Sequence, residues 1–318
     1  MRYQSSAKKP GLAFFVLALI WDLKEKIPLL KTRKLEALRF YRENSLSVEN
    51  NNSEIASNLE IEIAFVCAGK DFEVLPLSIK YALRATSSFK VTKIILIVPE
   101  KDLEAGRALL PTFGCPIDLR CEDDVLGAQT RNILRAKFSD RYGWALQQLL
   151  KVSAVITSTA AGVLIVDADT LLLSKRNWID NSGNQILTPS WEYNASYYVF
   201  LRNMGVSRLK PEHTFISHHM LMQPQMMKDA MGAAGWQDLD SIVESLVNER
   251  FLSTSSPFCI EYELYGQFMW NNHRDKVRLE KWANVGLPRS SFKEFGNPSG
   301  FAIDDFKNFA SLSIHSYL

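Results

Sequence analysis

The sequence predicts a mixed α/β protein with a mostly parallel central sheet flanked by helices. Three observations carry that prediction. Ile61–Ala68 and Val91–Val98 read as strands, and Ile117–Cys121 as a short third one. Stretches with apolar residues at helical spacing separate them. A further apolar run, Val163–Val166, leads straight into Asp167-Ala168-Asp169. That puts an acidic pair at a strand's carboxyl end, where open α/β sheets hold their ligands.

Ile61–Ala68, IEIAFVCA, is the expected first strand, and Gly69-Lys70-Asp71 is the turn that leaves it. Glu73–Thr86 carries Leu75, Ile79, Ala82 and Leu83 along one helical face. Val91–Val98 is the second strand, closed by Pro99, and Lys101–Leu110 reads as a helix. Ile117–Cys121 is a short third strand, ended by the acidic turn Glu122-Asp123-Asp124. Arg141–Ser153 reads as a helix that packs through Trp144, Leu149, Leu150 and Val152, with Gln147, Gln148 and Lys151 as its polar members. Gln185–Pro189 is a further strand, followed by the aromatics Trp191, Tyr193, Tyr197, Tyr198 and Phe200. Strands alternating with helices describe a parallel sheet.

Composition narrows the function classes. The chain has 318 residues and is 47% apolar, enough to build a core and to exclude wholesale disorder. A net charge of +2 gives no basic field for nucleic acid. Cys67, Cys115, Cys121 and Cys259 show no Cys-x-x-Cys spacing. They read as free thiols in a reducing compartment, without a zinc site or disulfide framework.

The first 58 residues differ from the rest. Gly11–Trp21 is uncharged but too short to span a bilayer, which takes about 20 apolar residues. No small-residue cleavage site follows it, so it fits a secretory signal poorly. Lys31, Arg33, Lys34, Arg39 and Arg42 then sit among apolar residues. Residues 8–42 therefore read either as a peripheral contact with an anionic membrane surface or as a helix packed on the main domain. Ser45–Asn58 is a polar linker. The expected organisation is an N-terminal segment, residues 1–58, and a catalytic domain, residues 59–318. The expected location is cytoplasmic, with peripheral attachment to the inner face of the plasma membrane as the membrane variant.

The acidic pair is the principal chemical signal. Asp167 and Asp169 stand two apart, which on a strand puts both side chains on one face. Two such carboxylates repel unless a cation lies between them, and hard oxygen donors suit Mg²⁺ or Mn²⁺. A cation held there would bind a diphosphate. The bland alternative is a strand end with two solvated acids, or a cap. Haloacid-dehalogenase-type phosphatases are excluded, because their strand motif needs a threonine where Leu171 stands.

Other candidates surround this pair. Asp71 sits in the turn after the first strand, suited to a base or ribose, or to turn chemistry. Lys151 lies on the helix before the Asp-x-Asp strand, placed either to reach a phosphate or to be solvated. Trp191 and Tyr193 are candidate ligand platforms, and Phe200 is core. In Thr214–Gln223 the pair His218-His219 lies between apolar residues, and at most one of the two faces a given pocket. In Phe258–Gly266, Glu261 and Glu263 frame Tyr262. Strand geometry would put both glutamates on one face, and a helix from Glu263 to Asn272 would separate them. Either could deprotonate an acceptor hydroxyl, or Glu261 could cap that helix. Near the end of the chain, His315 could complete a metal site begun by Asp169.

Five stretches, GWALQQLLK, VLIVDADT, FISHHML, IEYELYG and IHSYL, resemble in the same order an uncharacterised bacterial family of GT-A-type glycosyltransferases. The resemblance covers roughly residues 60–318. It implies a GT-A fold, with Asp167 and Asp169 at the metal and nucleotide diphosphate. His218, His219, Glu261 and Glu263 would line the donor–acceptor cleft, and His315 would be a late metal ligand. The expected activity is metal-dependent sugar transfer from a nucleotide-sugar donor to a glycan or lipid-linked acceptor in cell-surface polysaccharide biosynthesis. The expected cofactor is Mn²⁺ or Mg²⁺. Two other classes remain open at this point: a nucleotidyltransferase, for which Cys67-Ala68-Gly69-Lys70 is a poor phosphate loop, and a non-catalytic carbohydrate-binding protein.

Overall fold

The computed structural model describes residues 59–109, 111–180, 182–190, 192–250, 252, 257–290, 306 and 309–316. The membrane or packing role of residues 8–42, the linker and the candidate Trp191 lie outside the described residues.

Strand β1 (Glu60–Val66) starts the central sheet, and helix α1 (Leu75–Ala85) returns the chain to β2 (Lys90–Val98). Helix α2 (Leu103–Leu109) leads to β3 (Ile117–Cys121). Two short helices, α3 (Glu122–Val125) and α4 (Ala128–Phe138), precede the long helix α5 (Tyr142–Ile156). Strand β4 (Gly162–Val166) follows, then β5 (Thr170–Leu172) and β6 (Gln185–Leu187). Helix α6 (Ala195–Asn203) and strand β7 (His219–Met222) come next, then α7 (Pro224–Ala233), α8 (Leu239–Asn248) and α9 (Tyr262–Asn272). The last strands are β8 (Val277–Leu279), β9 (Asn284–Pro288) and β10 (Ser311–His315).

The central sheet has the order β3-β2-β1-β4-β7. Only β7 runs antiparallel, pairing Val166 with His219. The other pairs are parallel, as the alternation of strands and helices predicts. From β1 the chain builds outward to β2 and β3 on one side and returns to β4 on the other. The order therefore reverses between β1 and β4, and their carboxyl ends flank the crevice where such sheets bind ligands.

β4 and the second half of β2 read as unbroken apolar runs because both faces are covered, whereas the edge strand β3 alternates and is half-buried. Alternate residues go to different cores. Ala64, Ile95, Ile97, Val163 and Ile165 pack with α5 and α9. Ile61, Ile63, Phe65, Leu96, Leu164 and Val166 pack with α1 and Trp178. A three-stranded sheet, β5-β10-β9, lies beside this second core. Among the described residues no helix is long and apolar enough to cross a membrane.

One expectation about the acidic pair is corrected. Asp167–Asp169 is a turn and not strand: Thr170 N–H donates to Asp167 O at 2.9 Å. The chain leaves the central sheet there and β5 joins β10, so the two carboxylates are not neighbours on one strand face. The turn is braced from below by Ser78 of α1, whose hydroxyl donates to Ala168 O at 2.9 Å.

Candidate active site

Asp167 is the centre of a buried polar cluster. Its Oδ1 accepts from Lys151 Nζ at 2.6 Å and from the Tyr262 hydroxyl at 2.8 Å. Its Oδ2 lies 3.1 Å from His218 Nδ1. Its backbone N–H donates to His218 O at 2.9 Å, extending the β4–β7 ladder by one bond. Lys151 Nζ also lies 3.4 Å from Glu261 Oε1, and its charge sits 4.8 Å from the Tyr262 ring centroid. Lys151 is 3% exposed, so the solvated reading of this lysine is corrected. The lysine faces inward because α5 is covered on all sides here: every residue from Gln148 to Val155 is buried.

The charges of this cluster hold one another. Burial would raise the Asp167 carboxyl, but Lys151 and His218 outweigh it and keep it well below the usual carboxylate range. Burial would lower Lys151, but Asp167 and Glu261 hold it above the usual ammonium value. Burial would likewise lower His218, and its bond to Asp167 raises it instead. Glu261 is raised, since burial exceeds the opposing pull of Lys151.

The backbone that carries Glu261 is fixed by Gln148, one turn before Lys151. Its side chain accepts from Ile260 N–H at 2.9 Å and donates to Phe258 O at 3.3 Å. His218 adopts φ = 60°, a left-handed conformation that costs a non-glycine residue about 1–2 kcal/mol. Such a residue persists only where its surroundings over-determine it.

Asp169 belongs to a second pair. Its Oδ2 lies 3.4 Å from His315 Nδ1. The last strand delivers this histidine: Ser313 pairs with Thr170, and Ile314 N–H donates to Asp169 O at 2.8 Å. The His315 ring centroid is 5.4 Å from that of His218. The two pairs thus share one edge of the sheet. Asp167, Asp169 and His218 remain about one-fifth exposed along it.

These donors suit a divalent cation in part. Cis ligands of an octahedral ion at about 2.1 Å stand about 3 Å apart, close to the Asp169–His315 separation. Asp167 has only Oδ2 incompletely engaged. Among the described residues no group of three or more His, Cys, Asp or Glu is gathered for a metal. A cation here would draw its remaining ligands from a bound diphosphate and water, as Mg²⁺ and Mn²⁺ sites commonly do.

Other candidates have partners of their own. Asp71 lies beyond β1, but Arg289 Nη2 donates to its Oδ1 at 2.7 Å. The same guanidinium donates to Lys70 O at 2.6 Å and to Ile314 O at 3.1 Å, tying the β1 turn to β10. Lys70 itself is exposed beside Ser316, 3.3 Å from its hydroxyl. His219, the first residue of β7, faces away from the contact between His218 and Asp167. It is fully buried between Trp178 and Trp282, its Nδ1 2.8 Å from Ser217 O. Burial pushes His219 down to about 3. Glu263 is fully buried, with both carboxylate oxygens bonded to Phe215 N–H and Gln267. Helix geometry has separated it from Glu261. Tyr193 donates its hydroxyl to Leu209 O and stacks on Tyr198, while Phe200 is core.

No protein-family model matches the chain, and no curated protein does. Solved structures similar to it include glycosyltransferases. Mouse xyloside xylosyltransferase 1 is 12% identical over 82% of this chain and 98% of its own, at a TM-score of 0.45. The galactosyltransferase LgtC, solved with donor and acceptor sugar analogs, is 11% identical over 80% and 86%, at 0.41. A 4-diphosphocytidyl-2C-methyl-D-erythritol synthase from Anaerococcus prevotii is 11% identical over 72% and 89%, at 0.35.

Three contributors were not singled out by the sequence reading. Tyr262, noted only as framed by two glutamates, donates to Asp167. Gln148 and Ser78 were visible as polar residues on otherwise apolar helix faces, spaced three or four from Ala145, Val152, Leu75 and Ala82.

Proposed function

We propose that the protein is a GT-A-type glycosyltransferase that moves a sugar from a nucleotide-diphosphate donor to a hydroxyl of a glycan or lipid-linked acceptor. The observation that carries this reading is the acidic turn at the reversal of strand order, with Asp169 held against His315 by the last strand. Asp169 and His315, with Oδ2 of Asp167, would hold Mn²⁺ or Mg²⁺. A bound divalent ion would supply Lewis-acid neutralisation of the charge that develops on the leaving diphosphate.

The chain's own residues have distinct tasks in this scheme. Lys151 balances the buried charge of Asp167 and Glu261. Tyr262 and His218 fix the orientation of Asp167. His218, partly exposed, meets the sugar or acceptor oxygens at the rim. Glu261 is the remaining carboxylate of the cluster for an inverting course, and it positions substrate in a retaining one. Lys70, exposed at the same sheet edge, suits the phosphates. Cell-surface polysaccharide synthesis and a membrane contact through residues 8–42 follow from the sequence reading and belong to this proposal.

The test is thermal stability of the purified protein with UDP, GDP, CDP or CMP, with and without Mn²⁺, beside Asp169→Ala. A ligand present at about 100 times its Kd stabilises by about 2.7 kcal/mol. We expect one nucleotide to shift the transition only with Mn²⁺, and Asp169→Ala to abolish that shift. Absence of any shift in folded protein would favour a non-catalytic role.

A further inference from the structure

We propose that Glu263 is a positioning residue, which holds the segment that carries His218 and so sets His218 against Asp167. Both oxygens of this buried carboxylate are engaged. Oε1 accepts the Phe215 N–H at 2.6 Å. Oε2 accepts from Gln267 Nε2 at 2.9 Å, and the same amide donates to His213 O at 2.8 Å. Helix α9 therefore grips the segment before β7 at two backbone points, residues 213 and 215.

The grip is reinforced by shape. Gly266, between those two side chains on α9, faces Phe215 so closely that a Cβ would stand 2.5 Å from its ring. Thr214 O accepts from Ser190 N–H on the other side at 2.6 Å. Beyond Phe215 only two residues separate the gripped amide from His218. Ser217 is locked in turn, its hydroxyl donating to His219 O at 2.7 Å. This leaves His218 at its positive φ with Nδ1 at Asp167.

The side chain suits this task through its two oxygens. It takes two N–H donors at once. It also sits in the first turn of α9. Glu261, two residues earlier at the N-cap, uses the same helix end to hold Lys151. Helix α9 thus sets both sides of Asp167, the lysine side through Glu261 and the histidine side through Glu263. Glu263 itself touches neither the open edge nor Asp167.

The effect on turnover rests on the transferase reading, and the geometric effect does not. The experiment therefore reads both. Amide exchange at Phe215 and the imidazole NMR signals of His218 are recorded for wild type, Glu263→Ala, Glu263→Gln and Val243→Ala, a truncation in the same core. Donor turnover is measured on the same folded samples. We expect Glu263→Ala to lose protection at Phe215 and to move the His218 signals. Its kcat should fall about 10- to 100-fold at little-changed donor KM, the scale of a misplaced catalytic group. Glu263→Gln, which can still accept the Phe215 N–H, should restore most of both. Val243→Ala should lose stability and leave both readouts at wild-type values. If Glu263→Ala does not fold, Gln267→Ala releases the second point of the grip and is read in the same way.

Unchanged His218 signals in the folded variant would overturn the proposal. So would a kcat loss of equal size in Val243→Ala. Signals that move as expected in a protein that turns over no nucleotide sugar would uphold the positioning role and sink the transferase reading alone.

Discussion

Asp167 is an acid whose charge is matched from within the protein, and that sets what its neighbours tolerate. Lys151 is enclosed between Asp167 and Glu261. Its replacement by methionine leaves two buried carboxylates without their cation, a loss that typically costs about 3–5 kcal/mol. We expect Lys151→Met to lower stability by that order in urea unfolding. Adding Asp167→Asn should recover part of it, because one of the stranded charges is gone. Full additivity of the two losses would contradict the pairing.

Glu263 gives a pH test. Burial pushes its carboxyl from 4.5 up to about 7. Between those values the unfolded chain has released the proton and the folded protein keeps it. The folded state binds more protons, so stability falls as pH rises through that window. The full effect is on the order of 3 kcal/mol. Glu263→Gln should lack this component, so the difference in unfolding free energy between the two proteins should change from pH 4.5 to 7 and level off above. A difference that stays constant would mean that Glu263 ionises normally.

At the scale of elements, α9 and the segment before β7 form one unit. An alanine at Gly266 would gain about 1 kcal/mol of helix propensity. Its Cβ would also meet the Phe215 ring at 2.5 Å, and Phe215 is fully buried with its N–H held by Glu263. Overpacking of this kind costs about 1–3 kcal/mol, so the clash outweighs the propensity. We expect Gly266→Ala to be net destabilising in thermal unfolding; a stabilised variant would show that the segment moves freely.

The same elements mark what the sequence disclosed. Runs such as Val91–Val98 were legible as strands because both sheet faces are buried, and α5 because its apolar residues recur at helical spacing. The turn at Asp167–Asp169, which parts the two carboxylates, was not legible. Thr170-Leu171-Leu172 is as apolar as a continuing strand, and only its pairing with β10, over 130 residues away in sequence, pulls it out of the central sheet. The inward turn of Lys151 was hidden for a similar reason. A lysine among apolar neighbours looks solvated until the carboxylates that hold it arrive from β4 and α9.

Over the whole molecule, the candidate site joins two sheets. The central sheet supplies Asp167 and His218, and the three-stranded sheet supplies His315. Asp-x-Asp, the histidine pair and the terminal His315 each stood out in the sequence, but their separate duties did not. Which histidine faces the edge depends on the left-handed turn at His218 just before β7, and which carboxylate meets which cation depends on the turn at residues 167–169. The junction is narrow: Ile314 N–H on Asp169 O, and Arg289 between the β1 turn and Ile314 O. A cation bound by Asp169 and His315 would add a further bond across it. Local opening of β10 must then break that bond as well, so ligand binding should slow exchange there specifically. At about 100 times Kd of Mn²⁺ and the nucleotide that binds, we expect the Ile314 amide to exchange about 100-fold more slowly if it opens only when the ligand leaves. His315→Ala should remove most of that slowing. Equal slowing at Ile314 and at remote amides of α8 would instead mean that the ligand stabilises the fold as a whole. Slowing that survives His315→Ala would take the last strand out of the metal site.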